Sequence, residues 1–459
     1  MMSRRNVITS ISSAFGMMSV ASACVSEEVS PSAESQFPKR GSSLPSELRI
    51  TDMRFVRLKN VPHSSSIIRI DTNQGISGWG EVRDGASPFC AMILKSRLLG
   101  ENPCDVDRLF RKIKQFGGHG RQGGGVSAVE MALWDLAGKA YGVPVYQLLG
   151  GKFRDQVRLY ADTKQPDAPN PGEQLSGREA GLVLKKRMES GITWLKCDVG
   201  IGLLRNIPGT LSQPFGKSES PSPMTPHPFN GIELTPKGVE HLAGYIADIR
   251  EIIGMEVPLA IDHLGNISVS SMIRLTKALE PFALAWIEDP IPWQYPNLLR
   301  EVTRESSIPI LTGEDIFLKE DFQSLVNNNV VDMIHPDIAT SGGLLETKKI
   351  GDLAWEKGIP MAIHCAGTPI QFMASVHCAA ATENFLCLEQ HAFDVPFWQE
   401  LCIGMPSEMI ANGFVKVPEL PGLGVELNEE VVRKHMDSPE YFPPTPEWNM
   451  ERSWDRTWS

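Results

Sequence analysis

Asp262, Glu288 and Glu314 each close an apolar run, LAID, AWIED and PILTGED, and each stands 26 residues after the one before. In a closed parallel barrel about 250 residues make eight strand-and-helix units, so strand ends recur roughly every 30 residues. The interval predicts three carboxylates meeting at one rim. Oxygen ligands in that arrangement suit a hard divalent cation such as Mg²⁺, with Mn²⁺ as a substitute, because positions stay open for water or substrate. Asp289 and Asp315 directly follow two of these acids, and strand alternation lets only one of each pair face inward.

His364 ends PMAIH and Asp337 ends MIHPD, 27 residues apart, again one unit. Neighbouring strand ends would set them side by side. A carboxylate on one imidazole nitrogen fixes the tautomer and frees the other nitrogen to take or give a proton. His335, two residues before Asp337, has no comparable case. Lys196-Cys197-Asp198 ends a further strand-like run and Glu389 ends the last one. Tyr160, Asp162, His263 and Trp293 are rim candidates for which packing or solvation explains the residue as well as substrate contact does.

These residues need elements to hold them. From residue 47 the runs LRITDMRFVRLKN and SIIRIDTNQGISGWGEV alternate as strands around a turn at Asn73-Gln74-Gly75. Ser127 and Glu130 read as an S-x-x-E capping box opening SAVEMALWDLAGKAY, which Gly142 and Pro144 close. An α+β capping domain is expected over 47–150. Beyond it VRLYADT, TWLKCDV, PLAID, LAWIE, IPILTGE, VDMIHPD, PMAIH and FLCLE alternate with helical segments, which predicts a (β/α) barrel over 151–405 with its site at the strand C-termini. Segment 199–237, rich in Pro, Ser and Gly, is a long loop on that face and a candidate cover. Residues 406–459 are expected to return to the capping domain and end in a tail. The glycine-rich GGHGRQGGG around His119 and Arg121 follows no strand of a βαβ unit, so it is read as a flexible entrance to the next helix and not as a nucleotide loop.

The capping domain, the LWDLAGK…GVPVYQLLGG helix exit and the barrel with Asp262, Glu288 and Glu314 together resemble the enolase superfamily, in its mandelate racemase/muconate lactonizing enzyme-like branch of acid-sugar dehydratase type. The resemblance covers about residues 47 to 430. It implies an α/β fold, a modified (β/α)7β TIM-type barrel with an N-terminal α+β capping domain. It also implies one Mg²⁺ on the three carboxylates, stabilising the enediolate left when a base removes the proton α to a carboxylate, a very weak acid that needs such help. The His364–Asp337 pair, with Gly342-Gly343 downstream, matches the dyad of the mandelate racemase group. Lys196 matches a lysine that assists at the substrate carboxylate, and Glu389 matches an acid beside its oxygen. Asp198 stands where many members carry a second lysine as opposite-face base. A carboxylate of ordinary pKa near 4 is the weaker base, so two-base racemisation loses support and one-base chemistry from the His364 face gains it. Whether Asp198 is a base or a substrate ligand stays open. The resemblance implies a metal-dependent hydro-lyase taking water from a sugar acid to give a 2-keto-3-deoxy acid, an epimerase or cycloisomerase being the first alternative and a non-catalytic exported binder the second. A homo-oligomer is a further expectation.

With 459 residues, 42% hydrophobic and 22% charged, the chain has a globular composition, and its net charge of −11 opposes a nucleic-acid footprint, which needs a basic stripe. The expected partner is a small carboxylate. Arg4 and Arg5, a weakly apolar stretch to Val20 and Ala21-Ser22-Ala23 before Cys24 outline an export signal over 1–24, of twin-arginine or lipoprotein type. Residues 25–46 read as a linker. The protein is expected to be exported, periplasmic or lipid-anchored, or cytoplasmic if this segment is no signal. The apolar stretch is shorter than the ~20 residues of a membrane span, and the seven other cysteines show no disulfide or zinc spacing.

Overall fold

A computed structural model of the chain describes residues 43–61, 63–163, 175–204, 207–212, 232–265, 267–406 and 409–450. The expected export signal, most of the linker and parts of segment 199–237 lie outside the described residues. Strands β1 (Ile50–Val61), β2 (His63–Thr72) and β3 (Ser77–Val82) form an antiparallel meander. Gly75 of the predicted turn has a φ of +74°, which glycine adopts without strain. The long helix Gly124–Tyr141 lies directly on β3. A Cβ on Gly80 would come 1.9 Å from the Ala128 carbonyl oxygen and one on Gly78 2.3 Å from that of Ala132, so the two glycines permit this approach.

The eight expected barrel strands all form, in chain order Gln156–Thr163, Leu195–Asp198, Leu259–Asp262, Ile287–Glu288, Ile310–Thr312, Met333–Ile334, Met361–Ile363 and Phe385–Gln390. They are parallel, and the eighth closes on the first through Leu388↔Leu159, Glu389↔Tyr160 and Gln390↔Ala161. Seven strands are followed by helices and the eighth is not, the (β/α)7β pattern. Their inward and outward faces are both apolar and buried, as two-sided packing in such a barrel requires. Phe414–Lys416 adds an antiparallel ninth strand at the N-terminal half of the first.

The predicted capping box is not one. The helix begins at Gly124, so Ser127 and Glu130 lie inside it, and their side chains serve a different helix. Ser127 Oγ accepts from the Gly342 N–H at 3.0 Å, and the Glu130 carboxylate accepts from Leu344 and Leu345 N–H at 2.7 and 3.0 Å. S-x-x-E spacing puts both residues on one helical face, and here that face caps the barrel helix Leu344–Trp355. Gly343 has a φ of +94° and a Cβ there would meet Glu130 Oε2 at 1.9 Å, so this contact needs glycine. The predicted stop is observed: Gly142 is left-handed and closes the helix.

The C-terminal segment binds back on the capping domain. Asp135, fully buried, accepts from Trp79 N–H at 3.0 Å, Leu423 N–H at 2.9 Å and the Lys139 ammonium at 2.8 Å. Farther on, Phe442 is buried and the Lys95 ammonium donates to Thr445 O and Oγ1. Removing one member of a buried charged pair typically costs 3–5 kcal/mol because the other is left uncompensated. Asp135→Ala is therefore expected to lower the unfolding free energy by about 3 kcal/mol, read from urea denaturation, whereas a change within experimental error would show that Asp135 does not hold the segment.

Candidate active site

The strand C-termini converge on one ammonium. Lys196 is 1% exposed, and its Nζ lies 2.9 Å from Glu389 Oε1, 3.1 Å from Asp262 Oδ2, 3.2 Å from Glu288 Oε2 and 3.6 Å from Asp162 Oδ2. Burial alone would lower its pKa, but Glu288, Glu389, Asp162 and Asp262 reverse this and hold the ammonium charged. One positive charge faces four carboxylates. Burial, followed by repulsion from Asp262, pushes the Glu288 carboxyl well above the usual range.

This surplus is the test of fit for a divalent cation. The donors are carboxyl oxygens, the ligands a hard dication takes, and around Lys196 the carboxyls outnumber the ammonium four to one. Ligand atoms of Glu288 and Glu314 lie within 4.8 Å of each other and of a ring nitrogen of His335. Asp262 is joined to Glu288 through Lys196, and its other oxygen accepts from His263 N–H at 2.5 Å. Oxygen donors of this kind fit the expected ion; of the three expected ligands, Glu288 and Glu314 lie together with His335, whereas Asp262 is not part of that group among the described residues. Of the adjacent acids, Asp289 takes a bond from the Thr312 hydroxyl and Asp315 faces Arg121 at 3.1 Å.

His335, for which the sequence offered no case, forms part of the site's floor. Burial drives its pKa down to about 3, so the ring is neutral. Its Nε2 is 2.7 Å from the Tyr160 hydroxyl and its Nδ1 is 3.1 Å from Glu288 Oε1. Trp286 Nε1 donates to the other Glu288 oxygen at 3.1 Å.

His364 stands on the other side of Glu389 from Lys196. Its Nδ1 lies 2.6 Å from Asp337 Oδ2, and Nε2 faces inward, 2.9 Å from Glu314 Oε2 and 3.4 Å from Glu389 Oε2. Burial would lower its pKa, and the Glu314 carboxylate more than offsets this. On the opposite side Asp198 is less ordinary than its residue type implied. Its side chain keeps 46% of its surface, yet burial and then Asp162 push its carboxyl up to about 6, nearer the range of a useful base. His263, 70% exposed with a φ of +57°, lies 3.9 Å from Asp198 Oδ1 and from Asp262 Oδ2.

The capping domain supplies what the strand-end pattern missed. Arg83 reaches the His364–Asp337 pair and Glu314, and Arg121 joins Glu314 at 3.2 Å and Asp84 at 2.9 Å. The glycine-rich segment is no loose entrance. A Cβ on Gly123 would strike the Phe317 ring at 2.4 Å, and one on Gly124 would come 3.0 Å from the Ala339 carbonyl oxygen, so the segment is pressed against the barrel rim. His119 packs beside Trp293, ring centroids 5.3 Å apart. Asp162 is held ionised by Lys196 and His391 against the effect of burial, and His391 in turn packs beside His63 of β2.

Residues 58–150 match the family described as mandelate racemase/muconate lactonizing enzyme, N-terminal domain, and residues 183–431 match enolase C-terminal domain-like proteins. A D-xylonate dehydratase of Haloferax volcanii is 33% identical over 376 residues, covering 81% of this chain and 85% of the relative. A D-galactonate dehydratase of Pectobacterium atrosepticum is 27% identical over 411 residues, covering 86% and 97%. Among solved structures, a mandelate racemase/muconate lactonizing enzyme-like protein from Rubrobacter xylanophilus aligns with a TM-score of 0.75 at 34% identity, over 86% of this chain and 99% of that one.

Two substitutions separate a metal ligand from the residue beneath it. Glu288→Gln is expected to weaken Mn²⁺ binding, measured by electron paramagnetic resonance titration, by more than about 100-fold, and His335→Asn by about 10-fold, the loss usual for groups that orient a ligand. Wild-type affinity in Glu288→Gln would remove Glu288 from the ligand set.

Proposed function

The chain belongs to the enolase superfamily, in its mandelate racemase/muconate lactonizing enzyme branch of acid-sugar dehydratase type, and from that premise we propose that it is a Mg²⁺-dependent dehydratase of an aldonic acid such as a pentonate or hexonate. The observation that carries this reading is His364: Nδ1 anchored on Asp337, Nε2 turned to Glu314 and Glu389 beside Lys196. An oriented base beside a carboxylate-binding centre is the apparatus for removing a proton α to a carboxylate.

Lys196 places its ammonium, and Glu389 its carboxyl oxygens, where the substrate carboxylate binds. When bound on Asp262, Glu288 and Glu314, the dication supplies positive charge at that carboxylate. In its neutral form His364 takes the proton from C2 at Nε2, and the electron pair moves onto the carboxylate as an enediolate. The pair then returns to make the C2–C3 bond a double bond as the C3–O bond breaks, and the departing hydroxide leaves as water on receiving a proton. That proton comes back from His364 in a syn elimination, or from the Asp198 side, where the Asp198 carboxyl is pushed up to about 6 and His263 is pushed up because Asp262 and Asp198 outweigh its burial. The enol product becomes a 2-keto-3-deoxy acid. Asp337 stays ionised throughout, since Arg83 and His364 outweigh the effect of its burial.

The test is a panel of sugar acids, D-xylonate and D-galactonate included, incubated with Mg²⁺ in D₂O and followed by semicarbazide trapping of keto acids and by mass spectrometry. A product lighter by one water, formed with wild-type enzyme and slowed about 10²- to 10⁴-fold by His364→Asn, is the expected result. A product of unchanged mass would replace dehydration by isomerisation. Exchange at C2 that persists at the wild-type rate in His364→Asn would move the base to the Asp198 side. Turnover undiminished after chelation would sink the metal-dependent reading.

A further inference from the structure

The last residues of β3 and its exit carry two charges on one face. Glu81 and Arg83 are two positions apart, both buried, and strand alternation points both at the barrel. Glu81 takes the N–H of Thr368 at 2.9 Å, its hydroxyl at 2.5 Å and the N–H of Gln371 at 3.2 Å, and so fixes the start of helix Pro369–Ala381, just beyond His364. From that first turn Gln371 Nε2 donates back to Asp337 at 3.0 Å. Arg83 acts on the same carboxylate directly, its Nη1 2.5 Å from Asp337 Oδ2 and 2.8 Å from His364 Nδ1, its Nη2 3.3 Å from Glu314 Oε1. With Ala339 N–H at 2.6 Å on the other oxygen, Asp337 is held by four groups, two of which depend on the capping domain.

We propose that Arg83 is a positioning residue for the proton-transfer pair His364–Asp337, supplied by the capping domain and anchored beside Glu81, so that the barrel's acid–base group is in register only when the two domains are docked. The inference rests on the reading of His364 as the group that moves the C2 proton. A guanidinium suits the task because its planar fork spans Asp337 and Glu314 from one rigid group, whereas a lysine ammonium is a single point on a flexible stem. Shifts near 1 Å in such a group cost about 100-fold in rate. Arg83 touches the acid–base pair from behind and acts through it.

Arg83→Ala and Arg83→Lys are compared with wild type by solvent-deuterium exchange at C2 of the accepted sugar acid, by steady-state turnover and by Mn²⁺ titration. Arg83→Ala is expected to slow exchange about 100-fold while Mn²⁺ binds as tightly as before or more tightly, because a cation beside Glu314 has gone. Added guanidinium ion should restore part of the lost rate saturably, since it fits the vacated slot. Arg83→Lys, which keeps charge and most of the volume, should lower kcat with KM little changed, and it carries the test if the alanine variant does not fold. Exchange at the wild-type rate, a loss of Mn²⁺ affinity in step with the rate, absence of guanidinium rescue, or a rise in KM at constant kcat would each overturn the assignment. Exchange present in wild type and unaltered in the variants sinks this inference alone, whereas absence of exchange in wild type with any sugar acid removes the reading of His364 and this inference with it.

Discussion

Four carboxylates closing on one buried ammonium is the constraint around which the protein is arranged. At an effective dielectric constant near 20, two like charges 4 Å apart repel by about 4 kcal/mol, and Lys196 can answer only part of that among Asp162, Asp262, Glu288 and Glu389. Such a cluster persists because the barrel imposes it: each acid ends a different strand, and the strand register leaves no freedom to separate them. Trp286 and His335 then hold Glu288 from below, and His391 holds Asp162 from the side. The excess of carboxyls over ammonium is concentrated where a dication could be held.

The capping domain is part of the same apparatus. Gly78 and Gly80 let its long helix lie against β3, and that helix then spends Ser127 and Glu130 on the backbone that follows Asp337. β3 itself delivers Glu81 and Arg83 to the loop that follows His364. The two halves of the proton-transfer pair are thus each tied to the capping domain by a separate buried contact. Asp135 fastens the returning C-terminal segment to the same helix, which ties both ends of the described chain into one assembly.

Much of this could be read from the sequence because barrel strands repeat at a fixed interval and end in polar residues. The spacing of Asp262, Glu288, Glu314, Asp337 and His364 carries their placement, and the eight strands form where the apolar runs lie. What escaped was either long-range or two-valued. Arg83 contacts residues more than 200 positions away, and its only local signal is a charge two residues beyond Glu81 at the end of an apolar strand. S-x-x-E spacing fits a helix's own first turn and equally a helical face turned toward a neighbour, and the helix starts two glycines before Val126, ahead of the expected start. Asp198 read as a weak base because residue type alone says nothing of Asp162 beside it or of partial burial. His335 was invisible because a buried histidine two residues below a strand end looks like core until Glu288 and Tyr160 are seen against it.

The charge surplus around Lys196 is the claim on which the rest turns, and thermal unfolding of the wild-type protein against Mg²⁺ concentration tests it most directly. A cation that binds the folded site alone stabilises it by RT ln(1 + [L]/Kd), about 2.7 kcal/mol at one hundred times Kd. Tm is expected to climb with Mg²⁺ along that saturable form, well beyond any shift from KCl at matched ionic strength. Identical shifts from Mg²⁺ and from KCl would contradict it, because the carboxylate cluster would then be an internally balanced structural network and not a metal-binding centre.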